Sequence, residues 1–169
     1  MKKTLFLFIL LIVTGCGYSV AGFSDNSAIK FYINPVINET IDTTIGEIVQ
    51  LTVERYFIEY GELASSKNAN FFMDIKVYNL HYDTIIESPT NEALSSNMTA
   101  TLDIVVTNIE GKEIFSWTVT TSEYFTLGST ITGSIRNKKM SFEKSLSDTF
   151  EQFRIRFNAK IFRTASKNG

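Results

Sequence analysis

From Phe142 onward, large apolar residues fall at Phe142, Leu146, Phe150, Phe153, Phe157 and Ile161, in steps of four, four, three, four and four. That spacing puts all six on one stripe of a helix, and a helix with such a stripe must bury it against another element. The segment Met98–Thr107 supplies a candidate. Met98, Ala100, Leu102, Ile104 and Val106 alternate with Thr99, Thr101, Asp103, Val105 and Thr107, the period-two pattern of a half-buried strand. A striped helix and a one-sided sheet predict a two-layer arrangement.

Other segments extend the scheme. Ala28 to Val36 reads as a strand that Pro35 ends or confines to an edge. Thr44-Ile45-Gly46-Glu47 fits a capping box, with Thr44 as N-cap. Ile45, Ile48, Val49, Val53, Tyr56, Phe57 and Tyr60 then follow a helical period, and Gly61 suits the residue past the helix end. Phe71 to Tyr82 alternates as a strand until Asn79-Leu80, where a bulge is expected. Asp83 to Asn97 reads as a polar loop around Ser88-Pro89. Glu110-Gly111-Lys112 marks a hairpin turn, and Phe115, Trp117 and Val119 face inward on the returning strand, which ends near Phe125. Leu127 to Met140 reads as a Gly/Ser/Thr loop. The expected fold is α+β: a sandwich of two amphipathic helices on one face of a four-stranded, mainly antiparallel sheet, in the order β-α-β-β-β-α.

Composition narrows function more than fold. The 169 residues suit one domain. A single cysteine and a single histidine exclude a disulfide scaffold, a CxxC-type zinc or redox site and a multi-histidine metal centre. No metal or cofactor is expected. A formal net charge of −2 gives no electrostatic footprint for nucleic acid.

The N-terminus reads as an address. Lys2 and Lys3 precede an unbroken apolar run from Leu5 to Val13. Nine residues span only about 14 Å as a helix, against a bilayer core of about 30 Å. The layout is a secretory signal rather than a membrane span. It closes on Val13-Thr14-Gly15-Cys16, which resembles a bacterial lipobox. There the cysteine is diacylated before cleavage and becomes the first residue. The plainer alternative is a signal peptide with a chance cysteine near its end, but the chain's only cysteine lies where a lipobox needs it. Gly17, in place of an inner-membrane-retaining aspartate, favours the outer membrane. The expected organisation is a signal peptide over 1–15, a lipidated tether over 16–26 and one domain over 27–165.

Cys16-Gly17-Tyr18-Ser19-Val20-Ala21-Gly22 resembles the opening of mature chains in the LptE family of lipopolysaccharide-assembly lipoproteins. Ile33-Asn34-Pro35-Val36-Ile37-Asn38-Glu39-Thr40 is similar to a strand end of that family. The element order and the Gly111-Lys112 turn before Phe115 and Trp117 agree with it. The resemblance implies a lipid-anchored protein facing the periplasm from the cell outer membrane. It implies a plug and assembly partner in the lumen of the β-barrel LptD, where the pair inserts lipopolysaccharide into the outer leaflet without covalent chemistry. The implied partners are LptD, lipid A and the membrane itself through Cys16. The family's lipopolysaccharide contacts are basic, with no motif that maps them onto positions here.

Charge nominates candidates. From Arg136 to Gly169 there are nine basic and three acidic residues; from Cys16 to Ile135, five basic and fifteen acidic. Arg136, Lys138 and Lys139 are the candidate contacts for lipid A phosphates. The alternative is a solvated helix end whose charges complement the helix dipole. Phe72, Tyr78 and Tyr82, on the outward parity of their strand, together with Pro89 in the following loop, are the candidate partner surface; cover by a loop or the tether is the alternative. His81 has Asp83 and several serines in the sequence, but no Gly-x-Ser-x-Gly elbow frames a nucleophile, so an enzyme is not expected. The competing function is another outer-membrane assembly lipoprotein, pilotin-like, that binds a different barrel or secretin.

Overall fold

The computed structural model describes residues 29–87 and 93–165. Cys16, the expected signal peptide and tether, and Pro89 therefore lie outside the described residues. The elements are β1 (Phe31–Ile33), β2 (Ile37–Asn38), α1 (Thr44–Glu59), β3 (Phe71–Glu87), β4 (Ala93–Asn108), β5 (Glu113–Thr126) and α2 (Ile131–Ala165). The sheet runs β1-β3-β4-β5, and β2 pairs with the same edge of β3 further along. β1 and β2 are parallel to β3, whereas β3-β4 and β4-β5 are antiparallel. The fold is thus α+β, with two helices on a mixed five-stranded sheet. Pro35 divides the first predicted strand in two: with no amide to donate, it separates β1 from β2.

Both helices lie on one sheet face. The core takes alternate residues of the strands (Met73, Ile75, Val77; Met98 to Val106) and the apolar stripes of α1 and α2. Phe153 and Phe157 are fully buried and stack with ring centroids 5.7 Å apart. Phe157 lies 5.1 Å from both Phe31 and Phe71 and 5.9 Å from Phe115. Phe153 lies 5.5 Å from Phe115 and 6.2 Å from Phe57. Two adjacent turns of α2 thereby touch β1, β3, β5 and α1.

Four local features depart from the sequence reading. Thr44 opens α1 rather than capping it: the Asp42 carboxylate, a stronger acceptor, takes both the Thr44 amide at 3.0 Å and its hydroxyl at 2.7 Å. The segment Asp83–Asn97 is not a loop through its length, because β3 continues to Glu87 and β4 starts at Ala93, with two register shifts absorbing the irregular pattern. The segment Leu127–Met140 becomes helical from Ile131. The fourth departure follows from the expected bulge. Asn79 adopts φ +53°, and the register with β4 slips between Tyr78 and His81. Side-chain parity inverts there. Before the bulge, Phe72 and Tyr78 point away from the helices; after it, Tyr82 pairs with buried Met98 and lies on the helix-bearing face.

At the helix ends, Gly61 takes φ +65° after α1, as the sequence suggests. Beyond it, Glu62 accepts a hydrogen bond from Arg154 of α2 at 2.9 Å, and the Arg154 guanidinium lies 4.1 Å from the Tyr60 ring. Among the described residues no helix is long and apolar enough to cross a membrane.

Because Phe157 is fully buried among four other rings, Phe157→Ala should cost about 3–5 kcal/mol in urea unfolding. Phe162→Ala, on the exposed side of the same helix, should stay within about 0.5 kcal/mol of the parent.

Candidate functional site

The basic trio sits on the first turns of α2. This extension is locally encoded. Thr130 acts as the cap, its hydroxyl accepting the Gly133 amide at 3.1 Å. The Gly128 amide donates to the Ser134 hydroxyl at 2.9 Å, and a Cβ at Gly128 would approach the Gly133 backbone to 2.9 Å, so this corner closes tightly because no side chain intervenes. The Asn137 side-chain amide donates to the Thr126 carbonyl at 2.9 Å, tying the helix start to the end of β5.

The helix separates the three cations. Lys138 points to the protein: its ammonium donates to Asp42 at 2.8 Å and lies 3.4 Å from the Tyr82 hydroxyl and 5.4 Å from the Tyr82 ring centroid. Burial alone would raise the Asp42 pKa. The Lys138 hydrogen bond, the two Thr44 bonds and the Lys138 charge outweigh it, holding the carboxyl at about 2. Burial likewise pulls Lys138 down, and the bond to Asp42 and the neighbouring Tyr82 more than restore it, leaving the ammonium above its ordinary value. Lys138 therefore joins α2 to the turn before α1. Arg136 and Lys139 remain exposed. Arg136 makes no ion pair among the described residues, and Lys139 approaches Glu143 only to 3.9 Å.

Around these two cations the helix exposes apolar side chains: Ile131 at 82%, Ile135 at 57% and Met140 at 61%. Ile131, Ile135 and Lys139 step by four along one row, and Arg136 and Met140 form the next. Ile131 and Ile135 continue the buried stripe of α2 past the point where the sheet covers it. Guanidinium, ammonium and aliphatic surface together suit an amphiphile that carries phosphate beside hydrocarbon. The apolar half of this patch could have been found from the sequence, since Ile131 and Ile135 keep the period of Phe142; Gly128, Ser129 and Gly133 masked it as a loop.

The aromatic candidates do not form one row. Phe72 packs edge-on to Tyr32 with centroids 5.9 Å apart, and Tyr78 donates to Asp103 at 3.2 Å, both on the helix-free face. Tyr82 belongs to the Lys138 cluster on the opposite face. Across β4 and β5 the helix-free face carries a hydroxyl ladder: Thr101 meets Thr120 at 3.3 Å, Thr99 donates to Ser122 at 3.3 Å and Thr118 to Asp103 at 2.6 Å. It was legible as the polar half of the alternation.

The β5 edge adds a second surface. Phe71 donates its amide to Lys30, while Met73 and Val77 accept amides of Asn34 and Glu39. Even-numbered β3 residues from Phe72 to Tyr78 therefore face β4. Carried across the sheet, this alternation points the amides and carbonyls of Ser116, Thr118, Thr120, Ser122 and Tyr124 outward from β5. The 14-residue strand contains no proline, lysine or glycine to blunt that edge.

His81 and Asp83 hydrogen-bond at 2.9 Å on the solvent-exposed, helix-free face. A shallow groove of about 480 Å³ between β1, the Pro35–Val36 link and α1 carries Glu47 and Glu54, and its Gln50 accepts the Val36 amide; its carboxylates repel phosphate. Among the described residues no three His, Cys, Asp or Glu side chains gather as a metal site.

No protein-family model matches the chain, and no curated protein matches it. Solved structures do. A Caulobacter crescentus chain described as a lipoprotein superposes with a TM-score of 0.56 at 8% identity, covering 77% of this chain and 92% of its own. A Xanthomonas campestris protein of the DUF330 family gives 0.55 at 13% identity, covering 83% and 93%. These two share its fold. The rare lipoprotein B of Shewanella oneidensis gives 0.44 at 14% identity, covering 80% and 96%.

The Lys138–Asp42 pair makes a pH prediction. A depressed Asp42 stabilises the fold above its unfolded pKa near 3.8, and that increment fades as pH falls toward about 2. The raised Lys138 contributes below its unfolded value of 10.5 and loses its contribution as pH climbs past it. Lys138→Met should cost about 1–3 kcal/mol at neutral pH. It should also flatten the acid limb of stability between pH 4 and 2, as followed by urea unfolding at each pH.

Proposed function

We propose that this protein is a lipid-anchored lipoprotein of the outer membrane, of the LptE kind. It docks with an LptD-type β-barrel and assists the insertion of lipopolysaccharide into the outer leaflet. The observation that carries the reading is the patch at the start of α2. Arg136 and Lys139 stand among Ile131, Ile135 and Met140, a match for lipid A, whose phosphates adjoin acyl chains. Cys16, the sole cysteine, is the proposed anchor, and the lipobox order of the residues before it supports that role. The fold shared with a chain described as a lipoprotein is consistent with it. The barrel would meet the hydroxyl ladder of the helix-free face and the open edge of β5. Both offer rows of hydrogen-bonding groups, broken by exposed Ile37 and Tyr124, and those groups suit the hydrophilic interior of a large barrel. The protein's part is binding and positioning, with no bond made or broken.

Lys138 is committed to Asp42, so it drops out of the trio, and Arg136 and Lys139 remain. Arg136→Glu with Lys139→Glu should weaken lipopolysaccharide binding at least tenfold in a pull-down from purified lipopolysaccharide, with unfolding unchanged. Mild-detergent purification of the tagged protein from outer membranes, followed by mass spectrometry, tests the partner. A stoichiometric LptD-type barrel is expected. A secretin, or no barrel, would overturn the reading.

A further inference from the structure

The two ends of α2 differ in what they adjoin. Its 35 residues span about 52 Å, so the patch at Ile131–Met140 lies far from the helix C-terminus. At that C-terminus the N-terminal chain arrives. Phe31, two residues after Ile29, has its ring 5.1 Å from Phe157, and Phe71, at the start of β3, lies equally close. Beyond Phe157 the helix continues to Ala165.

This terminal part of α2 carries an apolar row on its outer side. Ile155 is 64% exposed and Phe162 60%, seven residues apart and hence two turns along one row, opposite the buried Phe153 and Phe157. The turn between β4 and β5 adds Ile109, 73% exposed, next to Asn108, which pairs with Phe71 at this same end. The charge there has one dominant sign. From Gln152 to Gly169 the sequence has five basic residues and no acidic one. Arg156 reaches back to 5.0 Å from the Trp117 ring, and Arg163 is exposed. Lys112 lies on the neighbouring turn, where Glu110 and Glu113 are the opposing acids.

We propose that this end of the domain rests on an anionic lipid headgroup surface. Phe162 and Ile155 enter the acyl boundary, and Arg163 and Arg156 meet lipid phosphates. The inference rests on the anchor at Cys16. From Cys16 to Ile29 are thirteen residue steps, at most about 45 Å of chain. An acylated Cys16 keeps the bilayer within that reach, and tethering makes even a weak surface contact effective. Exposed aromatic and aliphatic side chains on one helix face beside cations are the chemistry of an interfacial helix. The opposite end, with Arg136 and Lys139, is then held away from the leaflet that carries the anchor.

The test uses the full lipidated chain reconstituted in vesicles of phosphatidylcholine with or without phosphatidylglycerol. Because Cys16 is the only cysteine and its thiol is acylated in this form, Phe162→Cys offers one free thiol for a spin label. Tyr124→Cys, exposed at the far end of β5, is the control. Oxygen and nickel-chelate accessibilities then report depth. The 162 label should lie below the phosphate plane in vesicles with phosphatidylglycerol and return to water in phosphatidylcholine alone, while the 124 label stays aqueous throughout. Arg156→Gln with Arg163→Gln should raise the 162 label toward water. A 162 label that is aqueous in both vesicles, or equally deep in both, overturns the proposal. Failure of the anchor reading shows separately, as a mature chain whose mass lacks acyl groups.

Discussion

Two turns of α2 hold three strands and the other helix against one another. Phe153 and Phe157, one turn apart on α2, together touch the first, third and fifth strands and the other helix. Aromatic rings bury large area with few rotatable bonds, so a connected cluster of phenylalanines fixes relative positions as well as adding burial. The parallel strand β1 depends on this most. Three residues pair it to β3, too few to hold an edge strand alone, but Phe31 drives into the ring cluster and closes the sheet edge over it. The helices are then joined a second time at the surface by Arg154, Glu62 and Tyr60.

Lys138 illustrates why charge counting along a sequence overstates a binding site. Three cations within four residues read as a cluster, yet a helix turns each by about 100°, and one of them faces Asp42, 96 residues earlier. Its bond serves the fold. Asp42 in turn accepts from Thr44, so a single carboxylate both starts α1 and binds the start of α2. The cations left over are those beside exposed isoleucines, and that adjacency gives the patch its chemical character.

Periodicity carried most of the fold. The α2 stripe, the alternation of β4, the Asn108–Lys112 turn with Gly111 at φ +76° and the C-terminal Gly61 all follow from local spacing and hold in three dimensions. The elements that escaped are those where tertiary contacts override composition. Ser134 and Thr130 look like loop residues but spend their hydroxyls on capping. The strand ends at 83–87 and 93–97 lack a clean alternation, yet they pair because the two strands are already in register below. Parallel pairing of β1 with β3 was not readable either, since the residues that select it, Phe57 and Phe157, come from elsewhere in the chain. Of the candidate site, the exposure of Arg136 and Lys139 was legible and the fate of Lys138 was not. Tyr82 was assigned to the wrong face for a single reason, the residue inserted at Asn79.

That one inserted residue has a wider meaning for lineages that share this architecture. A β-strand records its history in parity: losing Asn79 would exchange inside for outside along the remainder of β3 without altering its amino-acid types. Two descendants separated by such an indel would need opposite hydrophobic patterns beyond it to keep the same shape. Position-by-position alignment would score those segments as unrelated. Low identity between chains of equal outline can therefore accumulate by frame changes of the pleat as well as by substitution, and matching faces rather than positions is the comparison that would uncover it.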